Sequence, residues 1–281
     1  MRKLLLLFFL MPYQFFVSAQ DHVPELKDYQ NFVKTKTLVL LEKNPMSDFN
    51  LVIREVMKNT WTLTPYEFID DAQFEAYRNN PNYSFLMITI ASFDKDRTKA
   101  RYRFLSLLMA ERGKSVRDMP DLCSLPLSYL QVEDDTYSYK LEAFLRFMQN
   151  HVQLMLDDPS LIGSDPFKYY NRKKKEELAN KTLYLVKDDL ARDIDTEAEI
   201  RQIYPHSFKI VTPDEVAQAI KERREDVVFL HKVGPENTRI RARVYKVIVG
   251  AGDPEIYYFD YQMMKKAQDD AFQLKDLKKI R

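Results

Sequence analysis

Cysteine is almost missing. The 281-residue chain has one, Cys123, so no intramolecular disulfide can brace it and zinc sites built on thiolates are excluded. Glycine is nearly as scarce, at five residues, which rules out collagen-like chains, glycine linkers and most phosphate-cradling loops. No P-loop, dinucleotide fingerprint, nucleophile elbow or H-E-x-x-H pair occurs. Charge of one sign is lacking too: 43 basic and 42 acidic residues leave a formal net charge of +1, so the composition implies no partner among bulk polyanions. After the first twenty residues, no apolar run approaches the roughly eighteen residues needed to span a bilayer.

What is present is a core-forming composition: 45% hydrophobic residues, with 18 Phe and 17 Tyr, argue for a folded chain stabilised by burial. The opening MRKLLLLFFLMPYQFFVSAQ carries Arg2 and Lys3, an apolar run from Leu4 to Met11, and the small residues Ser18 and Ala19. That is the layout of a secretory signal peptide, with cleavage expected after Ala19 and a periplasmic or secreted destination. Residues 20–35 then read as an N-terminal segment, helical or a tether.

Three short matches recur in the same order. Lys36-Thr37-Leu38 returns as Lys181-Thr182-Leu183, Ser84-Phe85-Leu86 as Val228-Phe229-Leu230, and Thr98-x-x-Arg101-x-Arg103 as Thr238-x-x-Arg241-x-Arg243. Such self-similarity predicts an internal duplication. Coarse patterning agrees. Each half reads as strand, helix, strand, helix, three strands and helix. Ser47 is placed to cap a helix over 47–58, and Thr196 with Glu199 forms a capping box for one over 195–204. Thr64-Pro65-x-Glu67 looks like the helix start Thr212-Pro213-x-Glu215, but pairing Phe68-Ile69-Asp70 with Ile210-Val211-Thr212 preserves the strand pattern better. Final helices are expected at 139–156 and 264–280. The fold class expected is therefore α/β (α+β), two tandem β-α-β-α-β-β-β-α modules at 36–157 and 181–281, each a mixed sheet packed by helices. Between them, 158–180 reads as a linker.

Chemistry-bearing residues are scattered. His22, His151, His206 and His231 have no metal-ligand spacing, and Cys123 precedes an apolar strand as a buried thiol would. Asp188, Asp189, Asp193, Asp195 and Glu197 lack the glycine and spacing of a calcium loop. Tyr169 to Lys175 mixes tyrosines with cations, but for a secreted chain this reads as a solvated face, or a contact for lipid phosphates or anionic glycan, with no nucleic-acid partner. Neither catalytic residues, metal ligands nor cofactors are assigned. The candidate binding residues are Arg101, Arg103, Arg241 and Arg243. Each pair shares one strand face, either matched with carboxylates across the sheet or gripping an anionic partner bidentately.

The element order, with the helix-then-strand pattern Val56…Trp61…Phe68, resembles the small α/β domains of bacterial envelope proteins. The TolB N-terminal domain and the curli-secretion lipoprotein family are the types it is similar to, along with secreted bacterial proteins of unknown function that have a duplicated domain. The resemblance implies assembly or interaction work with an envelope protein. It leads to the expectation of a non-catalytic interaction protein. A periplasmic small-ligand carrier, or a hydrolase with a site between the modules, is the alternative.

Overall fold

The computed structural model describes residues 23–281 except 94–97, 99, 164–166, 174 and 237–240, so the expected signal peptide, His22 and Thr238 lie outside the described residues. Helix α1 (Leu26–Phe32) docks through buried Tyr29 and Phe32. There follow β1 (Lys36–Leu40), α2 (Asp48–Thr60), β2 (Tyr66–Ile69), α3 (Asp71–Tyr77), β3 (Tyr83–Ser92), β4 (Arg101–Met109), β5 (Asp121–Tyr129) and α4 (Leu141–Asp157). Short helices α5 (Phe167–Lys173) and α6 (Lys175–Leu178) lead to the second half. It consists of β6 (Thr182–Val186), α7 (Glu197–Arg201), β7 (Phe208–Val211), α8 (Pro213–Lys221), β8 (Val227–Val233), β9 (Arg243–Gly250), β10 (Ile256–Met263) and α9 (Leu274–Ile280).

Two five-stranded mixed sheets result, ordered β2-β1-β3-β4-β5 and β7-β6-β8-β9-β10. The order is the same in both halves, and so are the directions: the first three strands of each run parallel and the last two antiparallel. Two similar modules of this kind fit an internal duplication. The helix starts agree as well. Asp70 caps α3 and Thr212 caps α8, each in a capping box, directly after β2 and β7. Thr64 caps nothing; it is buried, with its hydroxyl 2.6 Å from that of Thr37 and 3.0 Å from the Trp61 indole nitrogen.

Two of the three sequence matches are nevertheless one residue out of register. Val39 packs on the side of α2 and Leu38 on the side of α3; Leu185 packs with α7 and Tyr184 with α8. Because α2 corresponds to α7 and α3 to α8, Val39 is the counterpart of Leu185, not of Tyr184. The ladders place β4 likewise. Leu86 faces Leu107 while Leu230 faces Ile248, so Arg103 corresponds to Val244, and Arg243 to Tyr102. A one-residue slip moves a side chain to the opposite face. The two arginine pairs therefore do not occupy equivalent positions.

Helix α4 is apolar along the expected stripe, and nearly all of it is covered because both modules pack on it. One continuous cluster runs from Val39, Ile53 and Leu105 through Phe144, Met148 and Val152 to Val216, Phe229 and Val247. Its polar residues bridge as well. Gln149 accepts from the Thr62 amide at 2.7 Å on one side, and Arg146 donates to the Gly252 carbonyl at 2.7 Å on the other. Gly252 is required there, since a Cβ would lie 2.3 Å from the Arg223 carbonyl oxygen. The stretch expected as a linker is docked too: Asn171 pairs with the backbone of Phe259 through two 2.7 Å hydrogen bonds, covering part of edge strand β10. The expected helix over 264–280 is mostly irregular. Only α9 forms, because Lys265 and Lys266 donate their amides to Asp269 in a tight turn and the chain restarts at a Gln273/Asp276 capping box.

Two buried histidines pin this junction. His151 on α4 lies 2.9 Å from the Tyr170 hydroxyl, and burial holds it down to about 4. The His231 Nε2–H donates to the Pro126 carbonyl at 2.9 Å, which leaves Nδ1 to accept from the Lys140 ammonium at 3.3 Å. Burial first, then Lys140, keeps His231 neutral well below the usual histidine range. Both bind protons more readily when unfolded, so stability is full above about pH 6.5 and falls as the pH drops through that value. Urea titrations should show a loss of about 3 kcal/mol from His151 alone between pH 7 and 4, smaller in His151→Phe. Phe144→Ala should cost about 3–5 kcal/mol, and hydrogen exchange should report it in both sheets at once.

Candidate functional site

In an open sheet with parallel strands, the natural crevice lies beyond their C-terminal ends, where successive connections leave in opposite directions. In the first module this point falls between β1 and β3, since β1 leads to β2 on one side and β3 to β4 on the other. A broad groove of about 1020 Å³ opens there, between the loop after β1, the start of α2, the ends of β3 and β4, and the loop after β5. Ile88, Ile90, Leu130 and Val132 give it apolar walls; among the described residues, neither histidine nor cysteine lines it.

The loop after β1 is shaped by a buried asparagine. The Asn50 side chain accepts from the Glu42 amide at 2.9 Å and donates to the Glu42 and Asn44 carbonyls at 2.9 and 2.7 Å. Ser47 caps α2 by accepting from the Asn50 amide at 3.2 Å. This arrangement presents Glu42 toward Asp134, which forms an ion pair with Arg103. Burial, then the Asp134 charge, pushes Glu42 above the usual glutamate range. Burial works against the Arg103 charge, but Asp134, Tyr137 and Glu42 together outweigh it and raise the guanidinium further. Two carboxylates thus share one guanidinium in a half-buried setting.

The second module has the same crevice filled by its own chain. Lys232, at the β8 position that corresponds to Ile88, points its ammonium among Asp270 at 3.1 Å, Glu236 at 3.7 Å and Asp189 at 3.9 Å. Only 3% of that lysine side chain is exposed, against 21% for Arg103. Phe272 closes the edge, donating its amide to Asp189 at 2.7 Å and pairing beside Leu190. Gly234 makes room for Asp270, whose carboxylate would lie 1.9 Å from a Cβ there. Burial raises Asp189, and Lys140, buried close by, is held down to about 8 by burial against the pull of Asp189.

Of the four arginines singled out in the sequence, only Arg103 belongs to the groove. Its partner is a loop carboxylate beyond β5 rather than one across the sheet. Arg243 is stacked over Phe93 at 3.6 Å and near Tyr261 at 4.9 Å, close to the junction where Tyr102 meets Tyr245. Arg101 and Arg241 are exposed, and the Thr98 hydroxyl donates to the Arg241 carbonyl. Cys123 is buried, and burial pushes its thiol well up, away from thiolate chemistry. In the run from Tyr169 to Lys175, Tyr170 is buried and Arg172 exposed, and Lys174 lies outside the described residues.

Sequence reading missed Glu42, Asn50, Asp134, Lys232 and Asp270. One signal was available for Asn50, a polar residue on the buried stripe of α2 beside Phe49, Ile53 and Met57. Comparison with protein-family models, curated proteins and solved structures finds no match to this chain.

The two crevices should differ in how much they hold the fold. Asp270→Ala leaves the enclosed Lys232 without its nearest partner and should cost about 3–5 kcal/mol, while Asp134→Ala at the open groove should cost about 1 kcal/mol; denaturant midpoints of the two variants check this.

Proposed function

We propose that this chain is a non-catalytic interaction protein of the bacterial envelope, delivered by the signal peptide read at residues 1–19, and that the first module's crevice receives a segment of a protein partner. The reading rests on one observation above the others: among the described residues, of two crevices at the same topological position, one is closed by the chain itself and the other stands open with an apolar wall. Large exposed apolar side chains flank it, Ile90 at 59% and Met46 at 70% of their full exposure, as expected where a partner covers a surface. An acyl-transfer or hydrolytic reading finds little support, because His151, His231 and Cys123 are all buried away from the groove.

A photo-crosslinking residue placed at position 90 in the full-length chain, expressed in its native cell, tests this. A discrete protein adduct is expected from position 90 and none from exposed position 117 on the far side of the module. No adduct at 90, or the same adducts at both positions, overturns the proposal. Fractionation of the same cells should place the protein outside the cytoplasm.

A further inference from the structure

We infer that the occupant of this groove is a cationic peptide segment, one presenting lysine or arginine side chains from an extended backbone; the inference rests on the reading of the crevice as a docking site. Charge complementarity is its first support. Six carboxylates line the groove, Glu42, Asp48, Asp71, Glu133, Asp134 and Asp135, against two cations, Lys43 and Arg103. Both cations are engaged, Lys43 with Asp71 at 3.4 Å and Arg103 with Asp134. The chain as a whole is almost neutral, so this excess is local.

The second support is internal. The corresponding crevice of the second module contains a lysine ammonium among three carboxylates, at the strand position where the first module has Ile88. The first module keeps carboxylates on the loops after its first and last strands, as the second does with Asp189 and Asp270, but offers no lysine of its own at that position. A guest side chain can occupy that place. The third support is shape. Ile88 and Ile90 alternate with outward positions along β3, so a chain lying along the groove can rest apolar residues on them while its cations reach Glu133 and Asp135 on the rim. Opposite potentials of this kind steer association and select partners by sign.

The experiment uses purified protein with labelled isoleucine methyls and three synthetic peptides of one length, alternating valine with lysine, serine or glutamate. The lysine peptide should shift the Ile88 and Ile90 methyl signals, bind more weakly as salt rises, and lose about tenfold in affinity in Glu133→Lys/Asp135→Lys. Those two residues are exposed, so the variant keeps its fold, which the remaining methyl signals verify. Equal binding of the serine peptide at Ile90 overturns the cationic preference while leaving the crevice a docking site. Binding of the glutamate peptide, abolished in Arg101→Ala/Arg241→Ala, overturns it in favour of an anionic partner held by the exposed arginines. No shift at Ile90 with any peptide, while the position-90 crosslink persists, overturns this inference alone.

Discussion

Everything in this molecule depends on the burial of one helix between two sheets. Helix α4 belongs by sequence to the first module, yet its aromatic face, Phe144 and Phe147, reaches His231 and Tyr170 beyond it. Apolar area removed from water stabilises a chain by about 25 cal/mol per Å², and a helix covered on both sides gains it twice over. The Lys140–His231–Pro126 contact and the Arg146 hydrogen bond to the Gly252 carbonyl then tie the two modules together beside this helix. A function that required the modules to swing apart would have to expose this core. The crevices lie at the sheet ends, at the margin of this core.

Equal topology has not produced equal sites. The second module closes its crevice with Phe272 and packs a lysine inside a ring of carboxylates. A buried charge without partners is expensive, and Asp270, the nearest of those carboxylates, is held in place by the Glu236 amide at 2.6 Å and by the space that Gly234 leaves. The first module keeps its ion pair closer to solvent. Arg103 and Asp134 are 21% and 16% exposed there, against 3% and 8% for Lys232 and Asp270.

The architecture was largely legible in the sequence, and its finer register was not. Strand and helix order follow from hydrophobic spacing, and the helix caps at Ser47, Asp70, Thr196 and Thr212 follow from the hydrogen-bonding reach of short polar side chains. Register has no such local marker. The identical Lys-Thr-Leu triplets and the Arg-x-Arg pairs invited an alignment that places side chains on the wrong faces, and the helices packed on each face and the strand ladders expose the error. The helix over 264–280 failed for a related reason, since Asp269 draws nearby amides into a turn that helical periodicity does not foresee. The groove itself was invisible, because Glu42, Arg103 and Asp134 are brought together only by the sheet.

That last point bears on how two modules of one topology come to hold different groups at the same place. Cations and carboxylates meet at the same end of both sheets because the strand ends and the loops after them converge there. What differs is which strand carries the cation: β4 in one module, through Arg103, and β8 in the other, through Lys232. A long, flat guanidinium at the groove's margin leaves the floor free, with Ile88 in place of the lysine. A lysine rising from the floor fills the crevice and demands that the chain close over it. The residue at this central-strand position, Ile88 or Lys232, goes with the rest of each crevice: a Phe272 segment bridged to Leu190 beside the lysine, and exposed Ile90 and Met46 beside the isoleucine.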